Sequence, residues 1–323
     1  MTTLWLCLDD DDITGTQLAR VRAIVPAMGV VLGRASDTAG LDLAHVEVAA
    51  GWVTAEAALQ MRNVRWIQHW AAGVDSFTRQ AELVARDFIL TNGSGVHGIP
   101  ISEHILAFLL AFARGLPCAI RAQAEHRWVE VPDPCGQHVF ELHGKTMVLV
   151  GVGAIGARTA QVASALGIRV IGVRRDPSQD APGVAEMVGP DRLLAVLPQA
   201  DFVVLTVPLT AETRGMIGER ELRAMKPTTV VVNIGRGGTI QEDVLVRALQ
   251  EGWIGGAGLD VFETEPLPED SPLWDMPNVI VTSHYAGHNP SYNERAMAIF
   301  FDNLRRYTSD MPLLNVVDKT VGY

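Results

Sequence analysis

Three stretches in the C-terminal half each deliver one reactive type of side chain just past an apolar run. VVVNIGRGG presents Arg236 between glycines, GLDVFETEPLP ends in acidic residues held by Pro266 and Pro268, and NVIVTSHYAGHNP delivers His284. A guanidinium can grip a carboxylate through two parallel hydrogen bonds, and a carboxylate can hold an imidazole in its charged form. Imidazole can then hand a proton to a reacting oxygen near neutral pH. Together the three could bind an organic acid and protonate it.

A fourth stretch supplies an anion site. In MVLVGVGAIGARTAQVASALGIRVIGV an apolar run leads through Gly151, Gly153 and Gly156 into a helical pattern and out to a second apolar run. That glycine spacing allows a tight turn, close backbone approach to a pyrophosphate and close packing of helix on strand. Amides around Ala154 and Ile155 would open the helix, where the peptide dipoles favour negative charge. A dinucleotide is the expected ligand. Where an NAD site usually places Asp or Glu on the ribose, this chain has Arg174 and Arg175. A guanidinium attracts a 2′-phosphate that a carboxylate would repel, so NADP(H) is expected in preference to NAD(H). Asp176, further along and before a proline, is the competing ribose partner.

These loops need strands and helices to hold them. Val/Ile/Leu-rich runs alternate with helical patterns along the chain, as βαβ units around parallel sheets do. The spacing predicts early strands at 3–8, 46–50, 66–69 and 89–91, with helices over 14–27 and 54–62 between them. Pro100 suits the first position of a long apolar helix, ISEHILAFLLAFAR, too interrupted by charge to span a bilayer. A second strand-rich series runs from Thr146 to about Val281. Thr239 to Glu242 reads as a capping box, and Asn289-Pro290 as the cap of a last helix near 291–307. That helix is expected to cross back, so that the first domain is built from both chain ends.

At 323 residues and 48% hydrophobic, the chain can bury two cores. Its net charge of −11 argues against general nucleic-acid or membrane-surface binding, which needs a positive face. Cys7, Cys118 and Cys135 have neither even number nor ligand spacing, which suggests no structural disulfide and a cytoplasmic location. His284 and His288 lack the companions of a metal site, so no metal is expected.

WIQHWAAGVDSF, LTNGSGVHGIPISEHILAFLLAFAR, ELHGKTMVLVGVGAIG, VPLTAETRGMI, NIGRGG, LDVFETEPLP and TSHYAGHNP together resemble the D-isomer-specific 2-hydroxyacid dehydrogenase family over nearly the whole length. The resemblance implies an α/β protein with two doubly wound parallel-sheet domains. A Rossmann dinucleotide-binding domain, 98–288, would be inserted into a flavodoxin-like substrate domain of 1–97 plus 289–323. It further implies that Arg236 binds the substrate's carboxylate and keto oxygen, that His284 is the general acid or base, and that Glu265 pairs with it. Ala72 and Gly73 would give amides to the carboxylate. Ile234 and Asp260 would line the nicotinamide, Val207, Pro208 and Thr213 would lie near the adenosine, and Gly235 and Ala286 would also contact the cofactor.

The implied function is NADP(H)-dependent reduction of a small 2-ketoacid, as in glyoxylate/hydroxypyruvate reductases. The implied assembly is a homodimer in which the region around Trp128 reaches the neighbouring active site. A corepressor-like nicotinamide sensor and a phosphite dehydrogenase are the alternatives. Ser283 and Asn289 depart from the family's common S-P-H-x-A-x-x-T pattern, while His284 and Ala286 keep it.

Overall fold

A computed structural model describes residues 2–36, 41–130 and 139–322. It divides into two compact units, one of residues 1–96 with 289–323 and the other of 97–288. Each is an α/β unit around an all-parallel sheet, as expected.

The first unit contains strands β1 (Thr3–Cys7), β2 (Gly29–Leu32), β3 (Val46–Gly51), β4 (Trp66–His69) and β5 (Ile89–Thr91). Their order, β2-β1-β3-β4-β5, is the flavodoxin-like one. The strand β2 is absent from the sequence-based expectation, because its four residues GVVL lie at a partly exposed sheet edge and follow no alternation. Thr14 and Thr54 are N-caps whose hydroxyls accept from Gln17 and Ala57, so the helices begin one residue later than expected, at Gly15 and Ala55.

The late helix spans Tyr292–Thr308 and lays Ala296, Met297, Phe300, Phe301 and Leu304 against Leu4, Leu6, Trp66 and Trp70. Burying each large side chain contributes roughly 1.5–3 kcal/mol, so this helix is a structural part of the first unit. Its cap is Ser291, correcting the Asn289-Pro290 assignment.

A buried polar network ties the same helix to the sheet. Asn303 donates to Gln68 Oε1 at 2.9 Å, Thr91 Oγ1 donates to that oxygen at 2.9 Å, and Trp66 Nε1 donates to Thr91 Oγ1 at 2.8 Å.

The second unit contains β6 (Thr146–Val150), β7 (Arg169–Val173), β8 (Glu186–Val188), β9 (Phe202–Leu205), β10 (Val230–Asn233), β11 (Gly256–Leu259) and β12 (Val279–Val281). The order β12-β11-β10-β9-β6-β7-β8 reverses between β6 and β9, which creates a crevice at the carboxyl ends of those two strands. Its core is continuous on both faces of the sheet, with Val148, Ile171, Val203 and Val231 on one side and Met147, Val170, Val204 and Val232 on the other.

The apolar helix spans Gly98–Ala113, with Pro100 at its third position instead of its first. Among the described residues no single helix is long and apolar enough to cross a membrane. Thr239 ends a short 3-10 turn and Gln241 caps the helix Glu242–Gln250, correcting the capping box.

Cys118, one of the three cysteines behind the cytoplasmic reading, is buried on the helix Leu116–Ala124. Cys135, invoked in that reading, lies outside the described residues.

Candidate active site

The glycine loop leaves β6 and enters the helix Ala154–Ala165, with Gly153 as its N-cap. Gly156 lies so near Gly151 that an added Cβ would stand 2.1 Å from the Gly151 carbonyl oxygen. At Gly151, φ is +96°, and a Cβ there would meet Val207 Cγ1 at 2.8 Å. Glycine is required at both, by contact at one and also by conformation at the other. A Cβ at Gly153 would meet nothing within 4 Å, so the loop keeps open space beside the first amides of the helix. Thr206 Oγ1 donates to Gly151 O at 2.6 Å and binds the end of β9 to the loop. This cradle suits a pyrophosphate held by backbone amides.

Arg174 and Arg175 follow β7 directly. The Arg174 amide donates to Val188 O at 3.1 Å, extending the ladder to β8, and its guanidinium donates to Gln179 Oε1 at 2.9 Å. Arg175 is exposed and lies close enough to Glu212 to help hold that carboxyl below its ordinary range, behind a larger effect of the Thr210 hydroxyl.

Asp176 turns inward on its own loop, taking Ser178 Oγ at 2.5 Å, Ser178 N at 3.1 Å and Gln179 Nε2 at 2.8 Å. Those bonds, with Arg174 nearby, hold its carboxyl below the usual range. It is a turn residue, and the guanidinium pair occupies the strand end.

On the other side of the reversal, Thr213 Oγ1 donates to Pro208 O at 2.6 Å, shaping the turn that starts at Val207. The loop after β10 carries Arg236. Asn233 staples it: its Oδ1 accepts from Gly235 N at 3.1 Å, and its Nδ2 donates to Arg236 O at 3.0 Å. Ile234 is buried, and a Cβ at Gly235 would lie 2.5 Å from Val207 O. A Cβ at Gly237 would come within 1.9 Å of the Phe262 carbonyl carbon, so the arginine loop presses on the backbone of the loop that carries Glu265. Both glycines beside Arg236 are therefore demanded by close approach.

Glu265 follows β11. Its Oε1 accepts from Phe262 N at 3.0 Å, and its Oε2 stands 2.7 Å from His284 Nδ1. With Nδ1 so engaged, Nε2 is the ring nitrogen that can exchange a proton with a ligand. The ring is half exposed. The His284 backbone is left-handed, with φ at +54°, which side chains bearing a Cβ rarely adopt. Asp260 is 2% exposed and bonds this turn through its main-chain oxygen and both carboxylate oxygens, one of them to Ala286 N at 3.1 Å.

Ala72 and Gly73 lie in the first unit, past β4. Asn92 Nδ2 donates to Ala72 O at 2.8 Å, and Gly93 N donates to Ala71 O at 3.0 Å. Sequence reasoning misses Asn92, although the polar run TNGSG at a strand end is a signal. It also leaves His97 without a role. His97 packs so closely on Gly287 that a Cβ there would sit 2.6 Å from its ring. Burial, and secondarily the Arg236 charge, push its pKa below the usual histidine value. Among the described residues no group of three or more His, Cys, Asp or Glu could hold a metal.

Residues 106–286 match the NAD binding domain of D-isomer specific 2-hydroxyacid dehydrogenases. A glyoxylate reductase of Korarchaeum cryptofilum is 34% identical over 299 residues, covering 92% of this chain and 87% of that one.

Two solved structures resemble the whole chain. A D-isomer specific 2-hydroxyacid dehydrogenase from Xanthobacter autotrophicus, in complex with NADPH and MES, has a TM-score of 0.83 at 30% identity over 100% of this chain and 99% of its own. The NADPH-dependent glyoxylate/hydroxypyruvate reductase of Sinorhizobium meliloti, in complex with NADP and sulfate, has a TM-score of 0.83 at 28% identity over 100% of each chain.

With residues 106–286 matched by the family's dinucleotide domain and 34% identity to a glyoxylate reductase over 92% of its length, the chain belongs to the D-isomer specific 2-hydroxyacid dehydrogenase family.

Proposed function

We propose that the protein is an NADP(H)-dependent reductase of a small 2-ketoacid, of the glyoxylate or hydroxypyruvate kind. The observation that carries this reading is the 2.7 Å contact between His284 Nδ1 and Glu265. It sits on the same unit as a loop that presents Arg236 from the end of β10. Reductase names among the relatives, and NADPH or NADP in both neighbouring structures, weigh toward turnover with this cofactor over the corepressor-like or phosphite-oxidising alternatives.

The glycine loop from Gly151 to Gly156, including Ala154 and Ile155, would hold the pyrophosphate. Arg174 and Arg175 would take the 2′-phosphate. Val207, Pro208 and Thr213 are assigned to the adenosine side, Ile234 and Asp260 to the nicotinamide side, and Gly235 and Ala286 to further cofactor contacts. The bound cofactor supplies a hydride for C2 of the ketoacid.

The chain supplies the rest. Arg236 binds the carboxylate and draws electron density toward the keto oxygen. His284 Nε2 gives its proton to that oxygen as the alkoxide forms, and Glu265 compensates the ring's charge before transfer. In the opposite direction the neutral ring takes the hydroxyl proton. Ala72 and Gly73 are assigned as amide donors to a carboxylate.

A homodimer is proposed as the assembly. Leu110, Leu116, Ile120 and Trp128 are exposed apolar residues along 110–128, and Trp128 is 92% exposed, an unusual cost for a lone tryptophan. Steady-state kinetics of the purified protein with NADPH and NADH, side by side on a panel of 2-ketoacids, tests the reading. Oxidation of NADPH by glyoxylate or hydroxypyruvate is the expected result, and a flat trace across the panel overturns it.

A further inference from the structure

His284 holds a left-handed backbone conformation that is uncommon outside glycine, and four hydrogen bonds to one residue surround it. Asp260 accepts from His284 N through its main-chain oxygen at 2.9 Å. Its Oδ1 accepts from Tyr285 N at 3.1 Å, and its Oδ2 from Ala286 N at 3.1 Å. The fourth comes from a side chain: Thr282 Oγ1 donates to Oδ1 at 2.6 Å.

A carboxylate only accepts, so the single hydroxyl proton of Thr282 is spent on Asp260. The lone pairs of Thr282 Oγ1 then face His104 Nε2 at 3.0 Å, which must carry the proton of that bond.

His104 belongs to the helix Gly98–Ala113 and is 178 positions away in sequence. Its ring stands edge-on to Phe108, with centroids 4.7 Å apart, and to Tyr285 at 5.5 Å, so its plane is fixed from two sides. Burial keeps the ring toward its neutral form, although Asp260 acts in the opposite sense.

We propose that His104 and Thr282 are positioning residues for the proton-donating His284. Through a chain running His104 Nε2–H, Thr282 Oγ1–H and Asp260 Oδ1, they fix the rotation of the buried carboxylate. That carboxylate keeps residues 284–286 in the turn that aims the imidazole at Glu265. Without the hydroxyl, Asp260 loses a donor contact inside the protein and His104 faces an unfilled one, and both relax by rotating. The inference rests on reading His284 as the proton donor.

Thr282→Val keeps the side-chain shape and removes the hydroxyl, whereas Thr282→Ser keeps the hydroxyl. With glyoxylate and NADPH, Thr282→Val is expected to lower kcat roughly tenfold to hundredfold, the scale on which a small misplacement of a catalytic group acts. The KM for glyoxylate and the Kd for NADPH should stay within about threefold, and Thr282→Ser should restore kcat to a similar margin. The imidazole nitrogen resonances of His284, read by NMR, should shift in Thr282→Val and return in Thr282→Ser.

Wild-type kcat in a folded Thr282→Val protein, or a loss that Thr282→Ser does not repair, overturns the proposal. An inactive wild type whose His284 resonances still move in Thr282→Val sinks the proton-donor reading and leaves the positioning intact. Should Thr282→Val not fold, His104→Gln takes its place in the same kinetics and NMR, where a drop in kcat with shifted His284 resonances supports the positioning role and wild-type values of both overturn it.

Discussion

The carboxyl ends of the two sheets are furnished differently. In residues 97–288 that edge carries ions: Arg174, Arg175 and Arg236, with Asp260 and Glu265 each bonded to a turn or ring they hold in place. In the first unit Asp9 pairs with Arg34 past β1 and β2, whereas the ends of β3 and β4 are aromatic. Trp52, just past β3, stacks on Tyr292 at 5.5 Å and meets His69 edge-on at 6.4 Å, and Phe77 closes on the same imidazole at 5.2 Å. Among the described residues, His69 Nδ1 and Trp70 Nε1 are buried there without a hydrogen-bond partner. Charges that move protons or grip anions need hydrogen-bonded settings. A surface of rings offers shape and exclusion of water instead, and it tolerates a titratable group only in its neutral form. The charged edge is therefore expected to do chemistry, and the aromatic edge to set stability and fit.

The largest effect that would sharpen this division is on turnover. His284→Asn, assayed with glyoxylate and NADPH, is expected to lose roughly 10²- to 10⁴-fold in kcat while NADPH binding is preserved. Comparable loss from His69→Phe, with His284→Asn nearly inert, would reverse the two roles.

Next is a pH effect belonging to the aromatic edge. Burial depresses the pKa of His69 from 6.5 to about 4. The unfolded chain therefore binds the proton first as pH falls. Stability from this group is fully present above about pH 6.5 and drains away toward pH 4, by on the order of 3 kcal/mol in all. Urea midpoints measured across that window should fall for the wild type and flatten in His69→Phe.

Third, Arg174→Asp combined with Arg175→Ala should weaken NADPH roughly tenfold to hundredfold, the cost of a lost charged contact, and NADH much less. Equal losses for both cofactors in a titration would show the pair to be solvated charge only. The smallest effect is expected from Asn92→Ala, which frees the Ala72 carbonyl at a cost of about 1 kcal/mol. A several-fold rise in ketoacid KM with little change in kcat is the expected signature, and a collapse of kcat would place reacting chemistry on the first unit.

How much of this is legible in the sequence depends on how local each cause is. Buried parallel strands announce themselves as apolar runs, so β6, β10 and β12 are legible, as is the glycine loop whose contacts repeat a fixed spacing. The edge strand β2 is not, since GVVL is half exposed and is defined by its pairing with β1. Nor is the cap at Ser291, because Asn-Pro ahead of it already satisfies the local rule for a helix start. In the site, Arg236, Glu265 and His284 stand out by type and position. The link from His104 to Thr282 does not, because it joins a helix and a strand end by folding alone.

The return of the helix Tyr292–Thr308 to the first unit sets an order of events during synthesis. The segment through Val96 emerges early with Leu4, Leu6, Trp66 and Trp70 still lacking the side chains that will cover them, and Gln68 still lacking Asn303. The intervening unit can close on its own sheet while the opening one waits. Chaperone dependence, if a ribosome-release assay detects it, should thus concentrate on the first hundred or so residues and end when residue 304 clears the exit tunnel.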